Sequence, residues 1–228
     1  MSLADDGRPL SLTWHYTPRE IVADGVVHGL GVVLGLAGAV ALVATALTAH
    51  LDWGARAAVA VYAAALVGML GVSATYNLYP VSPRKWLLRR ADHALIYLMI
   101  AGTYTPLVTL VGTGRTAWAL LAVIWVVAAI GIAVKLFLPG RFDRLSIGLY
   151  LVLGWSGLFA YESVIAVLQP TALWLLAIGG LLYSVGVVFH VWRSLPFQNA
   201  IWHAFVLAAT ACHYGTVWAS VSGVSALT

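Results

Sequence analysis

The chain reads as long apolar stretches broken by short polar ones. Between consecutive charged residues lie uncharged windows at 25–51, 57–83, 93–114, 116–134, 145–161, 163–192 and 194–228. A helix rising about 1.5 Å per residue needs about 20 apolar residues to cross a hydrocarbon core of about 30 Å. Each window has room for one such helix. The spans are expected near 21–48, 55–79, 91–112, 115–138, 145–168, 171–193 and 199–222. Barrel strands would alternate apolar and polar residues, and that pattern is not seen, so the spans are read as helices.

Two helix starts are legible. Thr17-Pro18-Arg19-Glu20 combines a capping Thr, a Pro in the first turn and a reciprocating Glu. Ser82-Pro83 repeats the cap and proline ahead of Arg84 to Arg90, whose basic and aromatic residues suit a headgroup layer. The fold class expected is all-α: a polytopic membrane protein, a seven-transmembrane helix bundle. It forms a single domain over residues 1–228, with a short polar segment at 1–17.

Composition agrees. The chain is 62% hydrophobic, and 12 Lys and Arg with 8 Asp and Glu make up only 9% of it. A soluble domain carries about 25% charged residues, so an all-soluble reading is excluded. Disorder is excluded by hydrophobicity, and a disulfide scaffold by the single Cys212. Residues 1–17 are too polar and acidic for a cleaved leader, so the first span is expected to act as an uncleaved anchor.

Placing the N-terminus in the cytoplasm puts ten basic residues on inner segments, leaving only Arg56 and Arg115 outside. This positive-inside bias predicts the N-terminus in, the C-terminus out and a multi-pass place in the inner (plasma) membrane. The net charge of +4 then reflects topology. The basic residues are scattered along membrane-flanking loops, so no nucleic-acid role is expected.

Ionisable groups within apolar helices are costly and are functional candidates by default. Here they gather at one end. Glu20, Asp24 and His28 follow i, i+4, i+8 on the first helix, and Ser73 and Asn77 share a face of the second. Asp92 and His93 open the third span, and Asn199 and His203 sit i, i+4 on the last. Each also has a structural reading. Glu20 can serve only its capping box, Asp92 can pair with Arg89 one turn back, and the asparagines can be interhelical hydrogen-bond partners. Glu162 and His213 are isolated and read as structural polar groups. Four helices delivering polar groups to one depth favour a common site.

Three stretches resemble the signatures of the hemolysin III proteins, the bacterial branch of the progestin and adipoQ receptor superfamily. They are Ser73 to Asn77, Arg90 to Pro106 and Asn199 to Leu207; Glu20 to Gly29 also looks like the family's first-helix motif. The resemblance covers nearly the whole chain in order. It implies a zinc ion near the cytoplasmic helix ends, held at positions 77, 199 and 203, with Asp92 near the metal through water and Ser73 able to bond substrate or ligand. It also implies hydrolysis of ceramide-like lipid amides, with membrane lipids as partners.

Positions 77 and 199 depart from that pattern, since Asn77 and Asn199 stand where the family has histidines, leaving His203 alone. Zinc favours imidazole and thiolate donors, while a neutral amide oxygen binds weakly. The zinc site is therefore expected to be weakened or absent, or filled by another ion; His28 or His93 is an alternative donor that the spacing does not favour, and Glu20, Asp24, His28 and His93 are expected to line the site. The function expected is a metal-dependent lipid amide hydrolase with an altered site. The alternative is a metal-free, non-catalytic lipid-binding or regulatory membrane protein. A lytic pore ranks below both, because no polar stripe runs the depth of the helices.

Overall fold

A computed structural model describes residues 16–49, 51–111, 114–138, 140–160 and 168–225. The described elements are helical: α1 (Pro18–Thr48), α2 (Trp53–Leu78), α3 (Pro83–Val111), α4 (Arg115–Phe137), α5 (Asp143–Trp155), α6 (Pro170–Val191) and α7 (Gln198–Ser225). Six of them, all but α5, are long and apolar enough to cross a membrane. Their outward faces carry exposed apolar side chains, Val22, Val33 and Val40 on α1 and Trp174, Leu181 and Val188 on α6 among them. In water such faces would be a liability; in lipid they are the expected exterior.

The starts follow the local chemistry. The Thr17 hydroxyl accepts from the Glu20 amide at 3.3 Å, and Glu20 Oε2 accepts from the Thr17 amide at 2.9 Å, closing the capping box. The other Glu20 oxygen accepts from the Phe197 amide at 2.9 Å, so this cap also fastens the start of α1 to the turn before α7. Asp52 caps α2 through the Ala55 amide at 2.8 Å. Helix α3 starts at Pro83, eight residues before the expected span, because Ser82-Pro83 sets the start and the basic turn continues straight into the apolar run. Lys85 in that turn is buried and donates to the carbonyls of Asn77 and Tyr79 at 2.9 and 2.8 Å. A cation on the last carbonyls of α2 matches both their unmet acceptors and the negative helix end.

Packing divides the bundle. A large apolar cluster joins α1, α2, α3 and α7 through Leu42, Tyr62, Leu66, Met99 and Val217. A smaller one joins α3, α4 and α5 through Tyr97, Ile124, Ala128 and Leu153. Glycines permit the closest approaches. A Cβ on Gly102 would lie 2.9 Å from the Ala65 Cβ, and one on Gly179 would run into the His213 ring. The His213 ring also bonds the Leu176 carbonyl at 3.3 Å, tying α6 to α7.

The expected span at 145–168 differs from the rest. It starts at Asp143, but the α-helix stops at Trp155 and gives way to a 3-10 turn over Ser156–Ala160; Glu162 lies outside the described residues. The break falls in a Gly154-Trp155-Ser156-Gly157 run. Tyr104 of α3 takes up the backbone groups that the break exposes. Its hydroxyl donates to the carbonyls of Leu153 and Gly154 at 3.1 and 2.9 Å and accepts from the Gly157 amide at 2.7 Å. Irregular backbone at membrane depth requires such partners.

Removing that hydroxyl has a defined cost. Tyr104→Phe is expected to lower stability by about 1–3 kcal/mol and to speed exchange of the Gly157 amide. Thermal unfolding in detergent and hydrogen exchange measure the two effects, and wild-type values in both would show that the turn holds itself.

Candidate functional site

The polar residues singled out from sequence meet at one end of the bundle, where α1, α3, α5 and α7 begin and α2, α4 and α6 end. Asp24 is the hub. Buried at 5% exposure, its carboxylate accepts from Asn199 Nδ2 at 2.8 Å and pairs with His203 Nδ1 at 2.6 Å. His28 follows one turn along α1, with Nε2 at 3.7 Å from the same carboxylate. That nitrogen is buried without a hydrogen-bond partner among the described residues. The His28 and His203 rings are 4.3 Å apart.

Asn77 extends the network to α2. Its Oδ1 accepts from Asn199 Nδ2 at 3.1 Å, and its own Nδ2 donates to the Ser73 carbonyl at 2.9 Å. Ser73 in turn lies beside the Asp92 carboxyl of α3. The ion pair of Arg89 among the described residues goes to Asp143 of α5, across the bundle from the Asp92 pairing that i, i+3 spacing offers.

A cavity of about 1310 Å³ opens against this cluster. His28, Ser73, Asn77, Asp92, His93, Asn199 and His203 all line it. Asp24 stands behind them and does not, and Glu20, the cap and clamp of α1, is not in the wall either. His93 holds α5 through its carbonyl, which accepts from the Tyr150 hydroxyl at 2.9 Å. The wall also holds polar residues that were not among the sequence candidates, His190, Lys135 and Asp143 among them. His190 of α6 has a buried Nδ1 with no hydrogen-bond partner among the described residues, and Lys135 and Asp143 pair at 2.7 Å. His190 was legible as an ionisable group near a span end; Lys135 counted only among the ten inner basic residues, and Asp143 was not singled out.

The donor chemistry separates two possible metal sets. At positions 77, 199 and 203 the two amides are committed to each other, to Ser73 and to Asp24, which fits zinc poorly. Asp24, His28 and His203 instead offer one carboxylate oxygen and two ring nitrogens within 4.8 Å of one another. Two imidazoles and a carboxylate are a usual zinc donor set, and the orphaned His28 nitrogen is an atom that such an ion would satisfy.

Asp143 lies outside the long spans. Burial opposes its charge, but Arg89 and Lys135 outweigh that and hold the carboxylate down at about 2. A depressed pKa stabilises the fold above the unfolded value and is lost as pH falls through the folded one. This knot should therefore persist to about pH 4 and fail toward about pH 2.

The fold and the polar pocket define a multi-pass helical membrane protein with a charged cluster at one end of its bundle. The chain belongs to the haemolysin III family: the family described as Haemolysin-III related matches residues 16–214. It is 35% identical over 201 residues to the Hemolysin-3 homolog of Bacillus subtilis (strain 168), covering 87% of this chain and 93% of that one. Hemolysin-3 of Bacillus cereus is 36% identical over 193 residues, covering 85% and 88%. The human Monocyte to macrophage differentiation factor is 32% identical over 166 residues, covering 69% and 68%. No solved structure matches significantly. An inner-membrane location fits the bacterial relatives.

If Asp24 organises the cluster, its loss should exceed that of an ordinary cap. Asp24→Ala leaves His203 and Asn199 without their acceptor and is expected to cost about 1–3 kcal/mol, against about 1 kcal/mol for the cap variant Asp52→Ala. Unfolding in detergent compares them; a smaller loss for Asp24→Ala would dismiss the hub.

Proposed function

We propose that the protein is a lipid amide hydrolase of altered metal site, working at the cytoplasmic side of a seven-span bundle. The observation that carries this reading is the triad of Asp24, His28 and His203, whose donor atoms lie within 4.8 Å beside a cavity large enough for a lipid. The orientation rests on the ten-to-two distribution of basic residues. In this reading α5 and the 3-10 turn that follows it are counted with the six long helices, which makes seven crossings.

Asp24, His28 and His203 would hold the metal. When bound, zinc supplies a Lewis acid and lowers the pKa of its water from about 15.7 toward about 7. The chain's own groups do the rest. His28 and His203 line the cavity while Asp24 stands behind it, so a substrate approaches from the imidazole side. Asp92, also in the wall, is the group able to orient or take the proton of an attacking water. Ser73, beside Asp92, donates to a substrate carbonyl or hydroxyl. The apolar wall excludes bulk water from the reacting bond.

A second reading is favoured by a separate observation. Asp24 already accepts from Asn199 and pairs with His203, so the cluster is largely satisfied without an ion. On this reading the protein binds a lipid or regulates a membrane partner and performs no hydrolysis.

Metal content and ceramide cleavage decide between them. The hydrolase reading expects about one zinc per chain, fatty acid release from ceramide, and loss of both in His28→Ala. Asn77→His with Asn199→His should raise zinc occupancy and thermal stability together, since an ion bound only to the folded state shifts unfolding by mass action. Neither zinc nor turnover in the native chain would leave the lipid-binding reading. A double variant with unchanged occupancy would remove positions 77 and 199 from any metal cavity.

A further inference from the structure

Among the described residues, every buried or half-buried Lys and Arg but one has an acceptor. Lys85 donates to the carbonyls of Asn77 and Tyr79, and Arg89 and Lys135 share Asp143. Arg56, stacked on Trp53 at the start of α2, donates to the Ala49 carbonyl at 3.2 Å. Arg90 is the exception. It is half-buried in the second turn of α3, its guanidinium 5.6 Å from the centre of the Trp86 ring. Its Nε is buried with no hydrogen-bond partner among the described residues.

Trp86 repeats the pattern one turn earlier. Its side chain is 1% exposed, and its indole Nε1 likewise lacks an acceptor among the described residues. Two N–H donors on neighbouring turns are thus closed to water and unmet, a costly state for each. The same ring carries a second guanidinium, that of Arg89 at 5.4 Å.

The acids of the described chain are spent elsewhere. Glu20 closes the cap of α1 and clamps Phe197. Asp24 holds Asn199 and His203, and Asp143 holds Arg89 and Lys135. Asp52 caps α2 at the opposite end of the bundle, and Asp92 is in the cavity wall beside Ser73. A partner for Arg90 has to come from outside.

Its location says which kind. Neither Arg90 nor Trp86 lines the cavity, and Arg90 is partly exposed, so it is reached from the outer surface of the bundle. Leu87, three residues before Arg90, is 57% exposed on that helix. Basic and aromatic residues in the first turns of a membrane helix lie at headgroup depth. A guanidinium is a planar fork matched to phosphate oxygens, and stacking on a ring holds it ready. The positive start of α3 adds attraction for an anion.

We propose that Trp86 and Arg90 form a surface site for the phosphate of an anionic phospholipid, taken from the leaflet at this end of the bundle. The guanidinium takes the phosphate oxygens, the indole N–H is the second donor, and the acyl chains lie along the outside of α3 past Leu87. The site lies apart from the cavity and the metal triad, so it stands whether or not the protein hydrolyses amides.

Binding to the purified full-length protein in neutral detergent, read by native mass spectrometry, tests this. The probes are dioleoyl phosphatidylglycerol, dioleoylglycerol, which has the same chains without the phosphate, and inorganic phosphate. Phosphatidylglycerol should bind at least about tenfold more tightly than dioleoylglycerol, the scale of a charge-assisted hydrogen bond. Arg90→Gln should remove most of that preference while dioleoylglycerol affinity stays, which shows the protein intact. Trp86→Phe keeps an aromatic ring in place and should shrink the preference severalfold, a second test that spares the charge. Arg141→Gln, in the exposed turn before α5, and Arg144→Gln, in the cavity wall, should leave it unchanged. Four outcomes would overturn the proposal: equal affinity for the two lipids, a preference unmoved by both site variants, an equal loss in Arg141→Gln or Arg144→Gln, or inorganic phosphate competing as well as the lipid.

Discussion

One buried carboxylate holds the functional end of this molecule together. Asp24 on α1 is the shared acceptor for Asn199 and His203 on α7, and Asn199 passes the contact on to Asn77 of α2. In hydrocarbon an unmet carboxylate is expensive, so each of these side chains is fixed by what Asp24 needs. His28 is the exception, one turn away with a ring nitrogen that has no hydrogen-bond partner among the described residues. The cluster thus combines a settled hydrogen-bond network with one donor left over, and the metal question is whether an ion or the amides use Asp24.

Much of the fold was legible because its signals are local. The capping box at Thr17 and Glu20 and the Ser82-Pro83 start depend on three or four neighbouring residues, and the structure has both. The apolar windows mark the six long helices for the same reason. The fifth window fails as a single regular helix because its course depends on Tyr104, 49 to 53 positions away, whose hydroxyl accepts and donates at the break. Nothing in the window announces that partner.

The site divides in the same way. Asp24 and His28 share a helix face by spacing alone, as do Asn199 and His203, so their grouping could be read in advance. Which atom bonds which could not: Asp24 and His203 are 179 positions apart. Asn77 and Asn199 invited a reading as failed ligands, and the hydrogen bonds give them a structural role of their own. Lys135 entered the sequence reading only as one of ten inner basic residues, and Asp143 did not enter it at all. Their burial comes from the packing of α3, α4 and α5, which no single stretch encodes.

The Lys85 contact bears on how such a family diversifies. By gripping the main-chain oxygens of Asn77 and Tyr79, Lys85 sets the backbone address of position 77 without touching its side chain. The residue displayed there can change identity while its location stays anchored. Position 77 is thereby a socket of constant place, whose chemistry is set by its side chain alone.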